Sequence, residues 1–198
     1  VGPEVVPRPG ALEGEIEVQL RRYGISAGKW RDVSDLKHLD DHGIASRIRI
    51  EEAIRHEMHH GGDKTDEAAR AAAVHWFIRE IAFTHLNRLV ALKASEVRGL
   101  IPEIIQTRPE YGDRSRAHRD YRETHADRRG EAIGPDDALE VAIKSVCRTV
   151  YAEFRILFDV GDPAEGREAP ANSLLWPSYP VLKACIAKIN ALDVDAER

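Results

Sequence analysis

An all-α fold is what this sequence predicts, and three observations carry the expectation. Apolar residues recur at three- and four-residue intervals through several long segments, the spacing of one helix face. No run keeps a two-residue alternation, and no hairpin dipeptide separates β-branched stretches. Capping residues, first-turn acids and Gly or Pro punctuation stand where the periodic segments begin and end. Together they predict an irregular multi-helix bundle around one long central helix at about residues 65–98, with no internal repeat.

The elements follow in chain order. Residues 1–10 are Pro-rich, lack the apolar stretch of a signal peptide, and are expected to be a flexible tail. Leu12, Ile16 and Leu20 set a first helix, stopped at Tyr23-Gly24; Ser34-Asp35 offers a cap for another. From about Ala45 to His60, Ile48, Ile50, Ala53, Ile54 and Met58 give an amphipathic helix closed by Gly61-Gly62. Thr65-Asp66-Glu67 then opens the strongest helical segment, through Val74, Phe77, Ile78, Ile81, Leu89, Val90 and Val97 to Arg98-Gly99, with Pro102 forbidding simple continuation. Such a helix is about 50 Å long.

Residues 107–130 change character: seven arginines with five interleaved acids and few apolar positions mark a surface excursion. Gly134-Pro135-Asp136-Asp137 starts a helix whose apolar positions run from Leu139 through Ile143, Val146 and Phe154 to Leu157. A loop covers Gly161 to Ala171, and Pro177 and Pro180 bracket the entry to a last helix. The helical domain is therefore expected over 11–192, with a tail at 193–198.

Composition bounds the function. With 198 residues, 42% apolar and 32% charged, and a mean hydropathy of −0.43, the chain has room for its own core, and a membrane span is excluded. The balance of 29 basic and 34 acidic residues gives a net charge of −5, so any DNA contact must be local. Two cysteines, Cys147 and Cys185, form neither a metal spacing nor a disulfide framework, which fits a reducing, cytoplasmic setting. The first residue is Val1, and the chain is read as a piece of something larger.

Several constellations could carry chemistry. His56-Glu57-Met58-His59-His60 is a literal H-E-x-x-H: His56 and His60 on one helix face could hold zinc, with Glu57 activating a bound water. The plainer reading is a polar helix C-terminus, where histidines are favoured by the dipole. A zinc hydrolase is thus an alternative; otherwise no metal site is expected. Serine-hydrolase, phosphate-loop and dinucleotide motifs are absent. Arg114, Arg116 and Arg119 could track a phosphate backbone, although the interleaved acids favour a solvated loop or one that pairs with a neighbouring domain. On the long helix Asn87, Arg88, Lys93 and Glu96 interrupt the apolar pattern; Arg88 and Glu96 lie about 80° apart around the axis and could enter one interdomain seam, as a surface that senses nucleic acid or cofactor or, the reading favoured for Asn87, Arg88 and Glu96, as a hydrogen-bonded packing helix.

The segment Ala82-Phe83-Thr84-His85-Leu86-Asn87-Arg88-Leu89-Val90-Ala91-Leu92-Lys93-Ala94-Ser95-Glu96-Val97-Arg98-Gly99-Leu100-Ile101 resembles the helical N-terminal region of large adenine-specific DNA methyltransferases of phage defence, the BREX and DISARM types and related type II enzymes. The likeness extends more loosely over residues 45–192, and Ala94-Ser95 stand where that family commonly carries bulkier apolar residues. The resemblance implies a non-catalytic segment of an adenine-N6 methyltransferase in a phage-defence or restriction–modification system. Its implied partners are DNA and the catalytic domain or other defence subunits. S-adenosylmethionine is the implied cofactor of the parent, but no Gly-loop and no Asn/Asp-Pro-Pro-Tyr/Phe motif occurs here, so no cofactor is expected in the segment itself. A stand-alone helical interaction or regulatory module is the alternative from another class.

Overall fold

The computed structural model describes residues 10–60, 66–125, 137–152 and 154–192. Among them the structure is helical, with no strand and only isolated bridges such as Ile25 to Trp30. The helices are α1 (Ala11–Arg22), α2 (Asp41–His60), α3 (Asp66–Val97), α4 (Arg116–Thr124), α5 (Leu139–Val150), α6 (Arg155–Phe158) and α7 (Tyr179–Asn190). No described helix is long and apolar enough to cross a membrane.

The chain divides into two compact units. One comprises the described residues of Arg8–Thr84 and Ala169–Trp176, the other those of His85–Glu168 and Pro177–Arg198. The long helix α3 gives its first part to one and its second part to the other.

The first unit is built on branched aliphatics. In α1 the four-residue spacing of Leu12, Ile16 and Leu20 buries one stripe. Ile16 and Leu20 of that stripe join Ile50 and Ile54 of α2 and Val74, Phe77 and Ile81 of α3 in one apolar cluster. Gly24, at φ +73°, ends α1: its amide donates to the Arg21 carbonyl at 3.0 Å and the Ile25 amide to Leu20 at 3.0 Å, which satisfies the last carbonyls of the helix. Asp32, rather than Ser34, caps the short 3₁₀ turn Val33–Asp35, accepting from the Ser34 amide at 2.9 Å. Helix α2 begins earlier than Ala45, because the Asp40 carboxylate accepts the Gly43 amide at 2.7 Å and caps the added turn. Trp30 lies among Arg47, Arg55 and Arg70, whose guanidinium carbons are 5.9, 5.0 and 5.8 Å from its ring centre. The returning segment Ala169–Trp176 is fastened by Gln19, whose Nε2 donates to the Trp176 carbonyl at 2.5 Å, and by Arg49, which donates to the Ala169 carbonyl.

In the second unit the expected stop of α3 is present. Gly99 sits at φ +69°, with its amide on the Glu96 carbonyl and the Leu100 amide on Ser95, both at 2.9 Å. The arginine-rich excursion, read as a surface stretch, contains α4 among its described residues. Ser115 accepts the His118 amide at 3.3 Å as its N-cap, and α4 packs against α5. Helix α5 starts at Leu139, later than its sequence signal. Asp137 and Ala138 adopt left-handed backbone, φ +56° and +61°, so Asp137 is not a first-turn acid; Gly134, Pro135 and Asp136 lie outside the described residues. Leu139, Ala142, Ile143 and Val146 are buried as their period requires, but α5 ends at Val150, and Phe154 is exposed before the short α6. The proposed capping residue Thr65 and the Gly61-Gly62 stop also lie outside the described residues.

Candidate functional site

The polar residues of α3 turn inward. Glu96 gathers a loop: its Oε2 accepts the Ile104 and Ile105 amides at 2.9 and 2.8 Å, and its Oε1 accepts the Gln106 amide at 2.9 Å. Lys93 completes the group, its Nζ donating to Glu96 at 2.9 Å and to Gln106 Oε1 at 2.6 Å. The Glu96 side chain is only 2% exposed. A buried carboxylate is tolerable because every lone pair in use meets a donor, and each charge-assisted bond contributes about 1.5–3 kcal/mol. Arg88, 1% exposed, works on a different loop: Nε donates to the Leu157 carbonyl at 2.9 Å and Nη2 to Asp159 at 3.4 Å. Burial lowers its pKa, opposed by neighbouring Cys147 and Asp159. Arg88 and Glu96 therefore hold two separate loops of one unit instead of meeting in one seam. Asn87 is half-buried beside them.

The outward side of α3 carries four large apolar residues, with the exposed Arg79 among them. Trp76, Phe83, Leu86 and Val90 are 43, 61, 41 and 45% exposed. At about 100° per residue they fall within an arc of about 80° on the helix. Three of them lie in segment 82–101, where Arg88 and Lys93 are buried while Phe83, Leu86 and Val90 face out.

The arginines of the excursion are mostly engaged with acids. Asp137 is the hub: Arg114 approaches its carboxylate with Nε at 2.7 Å and Nη2 at 3.4 Å, Arg122 with Nη1 at 2.6 Å. Buried His118 donates from Nε2 to the Asp137 carbonyl at 2.6 Å. Burial alone would push the Asp137 carboxyl up, but the Arg114 hydrogen bond and the charges of Arg114, Arg122 and His118 hold it below the usual carboxylate range. Burial is also the main influence on His118, lowering its pKa and favouring the neutral ring. Arg119 pairs with Asp120 at 2.6 Å and stacks over Tyr111, its guanidinium carbon 4.3 Å from the ring centre. Arg116 is 62% exposed and only loosely paired, 3.7 Å from Asp120.

Beside this network lies a cleft of about 390 Å³, with Arg114, His118 and Asp137 on one wall and Lys183 and Asn190 of α7 on another. Asp137, Lys183 and Asn190 are not among the site residues that the sequence predicts. The available signal for the last two was their spacing, which puts them on one face of α7.

His56 is exposed on α2, and the His60 side chain lies outside the described residues. Among the described residues no group of three or more His, Cys, Asp or Glu is placed to hold a metal ion. Both cysteines are buried thiols. Burial pushes Cys147 up to about 12, against the charges of Arg88, Arg148 and Lys144, so it is a poor nucleophile.

No family model matches the chain, and no curated protein and no solved structure matches it either.

Proposed function

We propose that this chain is the non-catalytic N-terminal helical region of an adenine-N6 DNA methyltransferase of a phage-defence or restriction–modification system, docking the catalytic domain through α3 and touching DNA locally through α4. The observation that carries the reading is the reversed polarity of the family-like helix. Arg88, Lys93 and Glu96 are used inside the unit, whereas Phe83, Leu86 and Val90 stand in solvent. A row of large apolar side chains on a long helix is the kind of surface that a partner covers. The resemblance supplies the class of partner. On α4, exposed Arg116 is the best-placed residue for a phosphate, with Arg119 beside it; Arg114 is committed to Asp137.

The test is isolation of the tagged chain from cells that express it. An adenine-N6 methyltransferase polypeptide should accompany it, and Leu86→Glu with Val90→Glu should release that polypeptide while the chain keeps its helical circular dichroism. Retention by the double variant, or complexes without any methyltransferase, would contradict the proposal. The chain alone should transfer no methyl group from S-adenosylmethionine to DNA; activity of these residues alone would also overturn it.

A further inference from the structure

We propose that the partner element seated on α3 is a single amphipathic helix that carries an acidic residue opposite Arg79. This deepens the docking reading above and rests on that face being covered, not on the partner being a methyltransferase. Three observations carry it. The first is period: Trp76, Arg79, Phe83, Leu86 and Val90 follow one another at steps of three, four, three and four residues, the a and d spacing of a coiled-coil seam. The second is width. Between Ala73 and Val97 the exposed residues of α3 are these five and His75, and every other position is buried or half-buried. Two residues per heptad make the narrow stripe that fits one helix, not the broader face that enters a globular core. The third is charge. Arg79 stands inside the seam between Trp76 and Phe83 and has no carboxylate partner among the described residues. On its own helix the positions three and four residues away are His75, Trp76, Ala82 and Phe83, and Glu80, next in sequence, points about 100° away around the axis.

These features also select the occupant. Covering an unpaired guanidinium with apolar side chains is costly, so the partner has to bring an anion to it. A second copy of this chain brings none in its seam. Paired in parallel it sets Arg79 against Arg79, and paired antiparallel it offers apolar side chains or another Arg79. From Trp76 to Val90 the seam rises about 21 Å, which takes a partner helix of about four turns. The stretches of this chain outside the described residues are at most 11 residues long, too few for that span. The matching helix has apolar residues at a and d and one Asp or Glu in the layer of Arg79, where a bidentate pair with the guanidinium fixes the register.

Fluorescence anisotropy of a labelled, stapled helical peptide of about three heptads, titrated with the full chain, tests this. The peptide has leucine at a and d except for one central glutamate at d, and its twin has lysine there. The glutamate peptide should bind saturably and about tenfold or more tighter than the lysine twin. Arg79→Glu, at an exposed position, should reverse that preference. Phe83→Glu, also exposed, should weaken the glutamate peptide about tenfold or more, and both variants should keep their helical circular dichroism. Four results would overturn the proposal: neither peptide bound at millimolar chain, equal affinity for the two, a preference that survives Arg79→Glu, or a dimer of the chain in sedimentation that Phe83→Glu dissolves, which would make a second copy the occupant. Failure of the methyltransferase to accompany the chain leaves the peptide preference as expected. Failure of the peptides with the methyltransferase still retained would mean that the partner covers α3 with some other element.

Discussion

The two units of the molecule are held together by different chemistry. Around α1, α2 and the first part of α3, isoleucine, leucine and phenylalanine side chains form one continuous apolar cluster, with Arg47, paired to Glu51, as the charged side chain buried in that unit among the described residues. The unit formed by the rest of α3 with α4 to α7 has apolar residues too, among them Leu92, Ile105, Ile143 and Phe158, but its loops are fastened by ions inside it. Glu96 with Lys93 holds residues 104–106, Arg88 holds 157–159, and Asp137 draws in Arg114 and Arg122. Apolar packing is non-directional and tolerates repacking, whereas a buried carboxylate on three backbone amides fixes one loop path and fails when a partner is lost.

The contrast can be broken most sharply at Glu96. Glu96→Ala leaves a buried ammonium and three backbone amides without their acceptor and should cost about 3–5 kcal/mol, read from urea unfolding. In the other unit Ile54→Ala should cost about 2–4 kcal/mol through lost burial and a residual cavity, and Ile54→Val much less. A conservative aliphatic substitution is therefore tolerated in one unit and has no counterpart at Glu96.

Next in size are the two helix stops. Alanine at either left-handed glycine should cost about 1–2 kcal/mol. Gly24→Ala should exceed Gly99→Ala, because a new methyl at Gly24 comes within 2.9 Å of Leu36 Cδ2 while that at Gly99 meets nothing within 4 Å.

Acid sharpens the comparison further. His118 has its pKa below the ordinary 6.5 in the folded chain, so its neutral form contributes stability above that value and loses it as pH falls from 6.5 through the lowered pKa. Asp137, below its ordinary 3.8, contributes above that value and loses its share at still lower pH. His118→Gln should remove the first loss of stability, measured by thermal unfolding between pH 7 and pH 5. The smallest expected effect is that of Arg116→Ala: stability unchanged, and the salt dependence of DNA binding reduced by about one unit of log–log slope.

The sequence was legible where structure rests on period and punctuation. The stripe of α1, the extent of α3, the Gly99 stop and the buried face of α5 all follow from spacing and capping chemistry. It was opaque where one side chain reaches across a loop. The hold of Glu96 on residues 104–106 leaves no periodic trace: an acid among apolar residues suggests a hydrogen-bonded packing role but does not name the loop it holds. Helix α4 was hidden because its buried anchor is a histidine and its remaining faces are charged. Asp137 carried a misleading signal: Pro-Asp-Asp starts helices well, but here its backbone is left-handed and its carboxylate serves two arginines.

The inward use of the polar residues of α3 is tested most directly by amide hydrogen exchange at Ile104, Ile105 and Gln106. In the unaltered chain the three amides should be protected. Glu96→Ala should release them selectively, and Leu86→Glu on the outward face should leave them protected. Unprotected amides in the unaltered chain, or protection that survives loss of Glu96, would contradict the account.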